Sequence, residues 1–564
     1  MAAAALRLSD LGQDAVAGAV TAALLVPQTL AYALLAGLPP EAGLFAAMLP
    51  AFAYALFGTS PALSIGPVAV VSLMTATALA PLAAAGSPEY WQDALLLALL
   101  SGAMLLGLGL LRLGLLINFL SFPVISGFAM GAATLIVLSQ LPQILGLHYS
   151  AAGNAGEQLW KLLLALPHGG LPTLVVGLAS IGVLLAARGP LALWLVGLGL
   201  REPYASTVCR TMPLLLILAA SFCVARVPGL ADRVQLVGHL AAGLPPLSAL
   251  PLDPQRWRAL LGPAAVIGLV GYLEGISIAQ VLARRHRHEV KANRELVAIG
   301  LANLCAALSQ GMPVAGSLSR SVVNDAAGAR SRLAGAVAAA LVMASSVLLA
   351  PVLETLPRAV LAAIIIVAVL RLFDFHGLLR IWRYDRADGA AWIVTALGVL
   401  TAGAEAGFVA GLAVSLLLYI WRTANPHIVE VGHVPDSDLF VESHRYHELE
   451  TWPQLLLVRI DESLFFGNAA ALQGFVMDKL GARPEVSDVI LICGAVNTID
   501  ASALQMLEDL SESLRHGGVT IHLAEVKGPV MDRLEGSRLL AMLGRQRLHH
   551  TIAAAISALA SPPI

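Results

Sequence analysis

The chain has 564 residues, of which 58% are hydrophobic and only 12% charged, and its mean hydropathy is +0.80. Soluble domains run near about 25% charged residues, so a soluble enzyme or binding module is excluded and a polytopic membrane protein is expected. The net charge of −2 implies no nucleic-acid partner, and the scattered Cys209, Cys223, Cys305 and Cys493 show neither metal-ligand spacing nor a disulfide framework and read as packing residues.

At the N-terminus, Asp10 and Asp14 fall where a signal peptide would be apolar, so this stretch reads as a short interfacial helix. Fourteen apolar segments follow, near 15–36, 42–58, 67–85, 92–111, 116–140, 171–187, 211–227, 263–283, 295–311, 317–328, 333–352, 357–371, 388–403 and 405–422. A crossing needs about 20 apolar residues, fewer where a helix is broken at the midplane. Residues 188–210 are predicted to form an interfacial helix in a loop. Basic residues cluster at Arg188, Arg201 and Arg210, from Arg284 to Arg294, at Arg330 and Arg332, and from Arg371 to Arg386. All follow even-numbered spans, so the positive-inside rule places these loops and both termini in the cytoplasm. Near 424–426 the charge density rises, dividing a membrane domain (1–426) from a soluble domain (427–564).

Within the spans the polar interruptions carry the information. Val26–Phe45 is apolar but broken by Pro27 and Gln28 and closed by Gly37-Leu38-Pro39-Pro40. Two readings fit: a proline-kinked helix whose amide bonds a neighbour, or the wall of a polar site buried in protein. Gln28 and Pro67 are 39 residues apart (67 − 28), and so are Glu274 and Pro313 (313 − 274). The two pairs are offset by 246 residues (274 − 28), seven spans, which implies two inverted repeats. Paired interrupted segments in the two halves of a membrane protein point to a transport site.

Short helices starting near Pro67 and Pro313 would meet with their N-terminal N–H groups facing one cavity. Arg320, in the first turn of the second, adds a full positive charge, so the cavity suits an anion. Glu274, inside the eighth span, is either an ion-pair partner of Arg320 or a proton-coupling group. Sodium is the rival coupling ion and would need further oxygens, but the residue one turn on is Ile278. Gln28 and Tyr32 share one helix face and could approach an oxyanion from the side, with packing the alternative for Tyr32. Ser72 could instead bond its own backbone one turn back. No nucleophile–base pair, metal cluster or cofactor motif stands out, so neither catalysis nor a cofactor is expected.

The motifs PQ-x-x-AYA-x-x-AGLPP-x-x-GLF (Pro27–Phe45), GP-x-A-x-x-S (Gly66–Ser72), FPVISGF-x-x-GAA (Phe122–Ala133), LE-x-I-S-I-A (Leu273–Ala279) and GS-x-SRS (Gly316–Ser321), kept in this order, closely resemble the SulP sulfate-permease family. That resemblance implies an all-α membrane domain of fourteen spans in two inverted repeats of seven, divided into core and gate, homodimeric and working by an elevator motion. It implies a small inorganic or organic anion as substrate. Gln28 and Tyr32, Val68 and Ala69, and Ser317, Leu318, Ser319 and Arg320 match its anion-contacting positions, and Glu274 its proton-coupling acid.

Residues 427–560 resemble a STAS domain. Strands at 455–461, 489–494 and 519–526 alternating with helices at 468–480 and 501–514 read independently as an α/β layer. Soluble relatives are phosphorylated on a serine directly after the loop aspartate; here Ala501 follows Asp500, and Ser502 is expected to be a first-turn capping residue. The expected function is secondary active uptake of a small oxyanion, sulfate with a co-transported proton, across the inner membrane. Bicarbonate, chloride or a dicarboxylate are the alternative substrates. A channel, or an anion-sensing regulator whose STAS domain binds a cytoplasmic protein, is the alternative of another class.

Overall fold

The computed structural model describes residues 8–114, 121–147, 153–199, 201–240, 243–247, 253–445 and 448–559. The start of the predicted fifth span and parts of the 228–262 loop lie outside these residues. By internal contact the chain falls into two units, Met1–Ser415 and Leu416–Ile564.

Each of the fourteen predicted segments contains helix among its described residues. Eight helices among the described residues are long and apolar enough to cross a membrane alone, nine if Leu171–Ala186 and Pro190–Gly197, bent by 66°, form one broken span. The others are shorter, including Ala69–Leu79 and Leu318–Ala326.

Four sequence readings change. The N-terminal stretch is not a separate interfacial helix: Leu8–Leu35 is continuous, with Pro27 inside it. Buried Asp14 accepts hydrogen bonds from the backbone N–H groups of Arg330 (2.7 Å) and Ser331 (3.0 Å), tying this helix to the loop before Leu333–Leu348. The 188–210 segment divides: Pro190–Gly197 is a short helix, while residues from Glu202 onward belong to the helix Glu202–Arg226. Cys223 is exposed on that helix rather than packed. Two amphipathic helices, Ala155–Ala165 and Phe375–Tyr384, were not anticipated.

The end of the sequence AGLPPEAGLF has a steric explanation. Helix Pro40–Phe45 presses against the first helix so closely that a Cβ on Gly43 would lie 2.0 Å from the Thr29 carbonyl oxygen. Backbone cannot yield as a side-chain tip can. Gly43→Ala is therefore expected to cost about 3 kcal/mol or more, the upper range for overpacking, read as a lowered unfolding temperature of the detergent-solubilised protein; an unchanged temperature would show that the two helices separate freely. A second tie is Glu295, fully buried in the first turn of Ala292–Leu308, which accepts from the Tyr54 hydroxyl (2.9 Å) and the Thr59 N–H (2.6 Å).

The second unit is a six-stranded sheet in the order Phe440–Glu442, Ile428–His433, Leu455–Ile460, Asp488–Ile492, Thr520–Ala524, Leu548–His549. The first three strands pair antiparallel and the remainder parallel. The central strands and the helices Ala469–Ala482 and Ala501–His516 lie where their sequences predict; the N-terminal hairpin and the last strand were not anticipated. Asp500 caps Ala501–His516, its carboxylate accepting from the N–H groups of Ala503 (2.8 Å) and Phe466 (2.9 Å). These bonds, that from Ala503 foremost, hold its carboxyl below the usual carboxylate range. Ser502 does not cap: its residue is exposed and its hydroxyl makes no hydrogen bond among the described residues, because Asp500 already occupies the helix end.

A polar cluster sits within this sheet. His522 is buried, with its Nε2 3.1 Å from Asp488 Oδ1 and its Nδ1 3.1 Å from His549 Nε2. Burial is the main cause that pushes the His522 imidazole below its ordinary value, and burial pushes His549 the same way. Folding thus favours the neutral rings, whereas the unfolded chain takes up protons from about pH 6.5 downward. Stability is intact above that pH and is lost as the pH falls through it. Cys493 reports on this unit, since burial pushes its thiol up to about 12 and keeps it inert while folded. In a chain with Cys209, Cys223 and Cys305 replaced by serine, labelling of Cys493, divided at each pH by the labelling rate of a free model thiol to remove the loss of thiolate, is expected to accelerate from pH 7 to pH 5.5, and His522→Gln to flatten that dependence. An equally steep dependence in the variant would assign it to other groups.

Candidate functional site

The centre of the first unit is organised by two very short strands. Ile65–Gly66 and Ala315–Gly316 pair antiparallel, Ile65 opposite Gly316 and Gly66 opposite Ala315. Each strand leads directly into a half-helix, Ala69–Leu79 and Leu318–Ala326. Because the strands run in opposite directions, the half-helices leave them in opposite directions, with both N-termini at the pairing point. Val68 and Ser317 are the N-cap residues, and neither supplies a side-chain cap. The first-turn N–H groups therefore keep their donor capacity and the positive helix ends point inward. The equivalence of the two caps gives a repeat offset of 249 (317 − 68), not 246. Pro67 follows its strand and Pro313 precedes its own, so the matched proline spacing is off by three residues while the paired half-helices are present.

Hydrogen bonds lock this centre. Ser317 N–H donates to the Ser64 carbonyl (3.0 Å), Ser64 N–H to Ser321 Oγ (2.9 Å) and Asn324 Nδ2 to the Ala62 carbonyl (3.1 Å). Asn303, from the ninth predicted span, pins the chain ahead of the second strand by bonds in both directions to Val314 (2.9 Å each). Sequence reasoning missed Ser64, Asn303, Ser321 and Asn324. A buried asparagine in an otherwise apolar span was the signal available for Asn303.

Arg320 has 0% exposure. Its Nη1 donates to Gln28 Oε1 (3.1 Å) and to the Pro67 carbonyl (2.9 Å), whereas Nε and Nη2 are buried and have no partner among the described residues. A buried guanidinium with unpaired N–H groups costs free energy unless a ligand meets them. Gly66 makes room for it: a Cβ there would lie 3.3 Å from Arg320 Nη2. Gln28 thus orients Arg320 through its carbonyl oxygen and leaves its amide nitrogen free. Tyr32 is buried, and its hydroxyl makes no hydrogen bond among the described residues. Val68, Ala69 and Ser317 are buried at the pairing point, while Leu318 is 36% exposed and Ser319, partly buried, lies 3.2 Å from Ser317 through the two hydroxyls. Ser72 bonds the Val68 carbonyl one turn back (2.9 Å), the local alternative.

Glu274 is partly buried on Pro254–His286 and forms no salt bridge with Arg320, nor a hydrogen bond among the described residues. Ile278, one turn on, is buried and offers no oxygen. Gln28 and Ser319 open onto a cleft of about 420 Å³, whose lining also includes Arg188, Arg210 and Arg371.

Comparison with known proteins settles the lineage. The sulfate permease family matches residues 11–395 and the STAS domain residues 446–555. The chain belongs to the sulfate permease family. This sulfate permease homologue is 33% identical over 555 residues to a probable sulfate transporter, 4.2, of Arabidopsis thaliana, covering 96% of this chain and 80% of that one. It is 34% identical over 547 residues to a probable sulfate transporter of Mycobacterium tuberculosis, covering 97% of this chain and 94% of that one. Its fold is that of the murine solute carrier 26 member A9, an anion transporter solved in the inward-facing state, with a TM-score of 0.87, 23% identity and coverage of 98% and 92%. Membership makes the chain a multi-pass membrane anion transporter, not an enzyme.

Proposed function

We propose that this permease is a secondary active importer of sulfate, coupled to protons and working by an elevator motion of a core carrying the half-helices against a gate. The observation that carries this reading is the buried Arg320, with Nε and Nη2 unpartnered beside two uncapped helix N-termini. A tetrahedral oxyanion offers acceptors to both. The first-turn N–H groups at Val68–Ala69 and Ser317–Leu318–Ser319, the free amide of Gln28 and the hydroxyl of Tyr32 complete the proposed contacts. A charge-assisted hydrogen bond is worth about 1.5–3 kcal/mol, and each helix end adds about 0.3–1 kcal/mol.

Glu274 is assigned the coupling proton. Among the described residues it has no cationic partner within salt-bridge distance, and the residue one turn on, Ile278, offers no second oxygen, which disfavours sodium. Fourteen crossings, cytoplasmic termini, an inner-membrane location and a homodimer complete the proposal, with 427–564 as the STAS domain available to a cytoplasmic protein. The cleft lined by Arg188, Arg210 and Arg371 then opens to the cytoplasm, since these residues belong to the clusters that the charge rule places there.

The test is uptake of labelled sulfate into proteoliposomes, with bicarbonate, fumarate and chloride as competitors and the pH and sodium gradients varied separately. Saturable uptake driven by an inward proton gradient without sodium is expected. A requirement for sodium, stronger competition by bicarbonate or fumarate than by unlabelled sulfate, or a large conductance without any gradient would replace this reading with a rival.

A further inference from the structure

The lining of the cleft carries charge that the site described above does not use. Arg371 stands in the turn directly after Arg358–Val369, is exposed, and has no hydrogen bond or ion pair among the described residues. Its neighbour Arg188 is committed to the Val367 carbonyl on that same helix. Arg371 lines the same cleft as Gln28 and Ser319, and its charge is felt at Glu274, Tyr32 and Arg320.

Charge counting shows what is missing without it. With Glu274 ionised, Arg320 and Glu274 sum to zero; with Glu274 protonated, the core wall carries one positive charge. A divalent oxyanion brings two negative charges, so the core wall alone leaves one unbalanced; Arg188 and Arg210 line the cleft too, and Arg371 is the one of the three whose charge is felt at Glu274 and Arg320. A monovalent anion would be balanced by the core wall alone.

We propose that Arg371, in the lining of the same cleft, supplies the second positive charge that a divalent oxyanion needs, so that it sets the preference for divalent over monovalent anions. This inference rests on the anion site proposed above and adds a specificity determinant to it.

The test is labelled-sulfate uptake by proteoliposomes of the full-length protein at a fixed inward proton gradient. Wild type, Arg371→Gln and Arg371→Lys are compared, with selenate as a divalent competitor and chloride and formate as monovalent ones. Arg371→Gln is expected to raise the half-saturating sulfate concentration and the selenate inhibition constant about tenfold. The chloride and formate constants should stay within about twofold, so the divalent-to-monovalent preference collapses, and Arg371→Lys should restore most of it. An unchanged preference in Arg371→Gln overturns the proposal, and so does equal weakening of all four anions, which would make Arg371 a general steering charge. Wild-type vesicles that take up chloride but not sulfate would refute the sulfate reading itself and this inference with it, whereas wild-type sulfate uptake with an unaltered variant refutes only the role of Arg371.

Discussion

Arg320→Ala is expected to raise the sulfate concentration for half-maximal uptake by about 100-fold, because it removes a fully buried cation at the meeting point of the two half-helices. Each bond to a charged group contributes about 1.5–3 kcal/mol. Losing the two donors now unpartnered, Nε and Nη2, is therefore worth about 3 kcal/mol at the low end, and every 1.4 kcal/mol or so is tenfold in affinity. Folding should survive: the variant also removes an under-satisfied buried charge, and such groups cost stability more often than they supply it. Arg320→Lys should fall between, since an ammonium keeps the charge but cannot hold Gln28, Pro67 and an oxyanion at once with a planar fork. Uptake kinetics on monodisperse purified protein decide the matter. Unchanged apparent affinity in the alanine variant would remove Arg320 from the site.

Glu274→Gln is expected to abolish accumulation while leaving sulfate exchange. The amide keeps the shape of the carboxyl and mimics its neutral form, so the anion can still bind and move, but no proton need accompany it. A pH difference of about one unit is worth about 1.4 kcal/mol per coupled proton, tenfold in concentration. Wild-type vesicles should then accumulate sulfate severalfold over the bath under such a gradient, and variant vesicles should stop at equality. Labelled sulfate loaded inside should still exchange against unlabelled sulfate outside. Persistent accumulation by Glu274→Gln would move the coupling elsewhere, and loss of exchange as well would make Glu274 part of the anion site.

Both experiments concern residues legible in the sequence, and the reason is physical. Ionisable side chains inside apolar spans are costly, so Arg320 and Glu274 stand out wherever they occur. The short half-helices were visible through Gly66-Pro67 and Pro313, which interrupt spans that otherwise run on. Registration was not legible. The pairing of Ile65 with Gly316 joins segments about 250 residues apart (316 − 65 = 251), and no local pattern encodes it; counting from proline to proline gave an offset three residues short. The same holds for the ties that position the site. Asp14 looked like an interfacial acid because its partners, Arg330 and Ser331, are distant in sequence. Glu295 lay hidden in a basic run, and only the fold brings Tyr54 and Thr59 to it. Gln28 was readable as a polar break in a helix, but its direct bond to Arg320 required both repeats to be assembled. In the STAS domain the central strands announce themselves as apolar runs, whereas Phe440–Glu442 and Leu548–His549 are too short to carry a pattern.

The most direct test is an image of the occupied site. Cryo-electron microscopy of the protein in lipid nanodiscs, with and without saturating sulfate, should show added density between the N-termini of Ala69–Leu79 and Leu318–Ala326. That density should lie within hydrogen-bond distance of Arg320 Nε and Nη2. Sulfate density elsewhere, with those two nitrogens still unpartnered at saturation, would contradict the account.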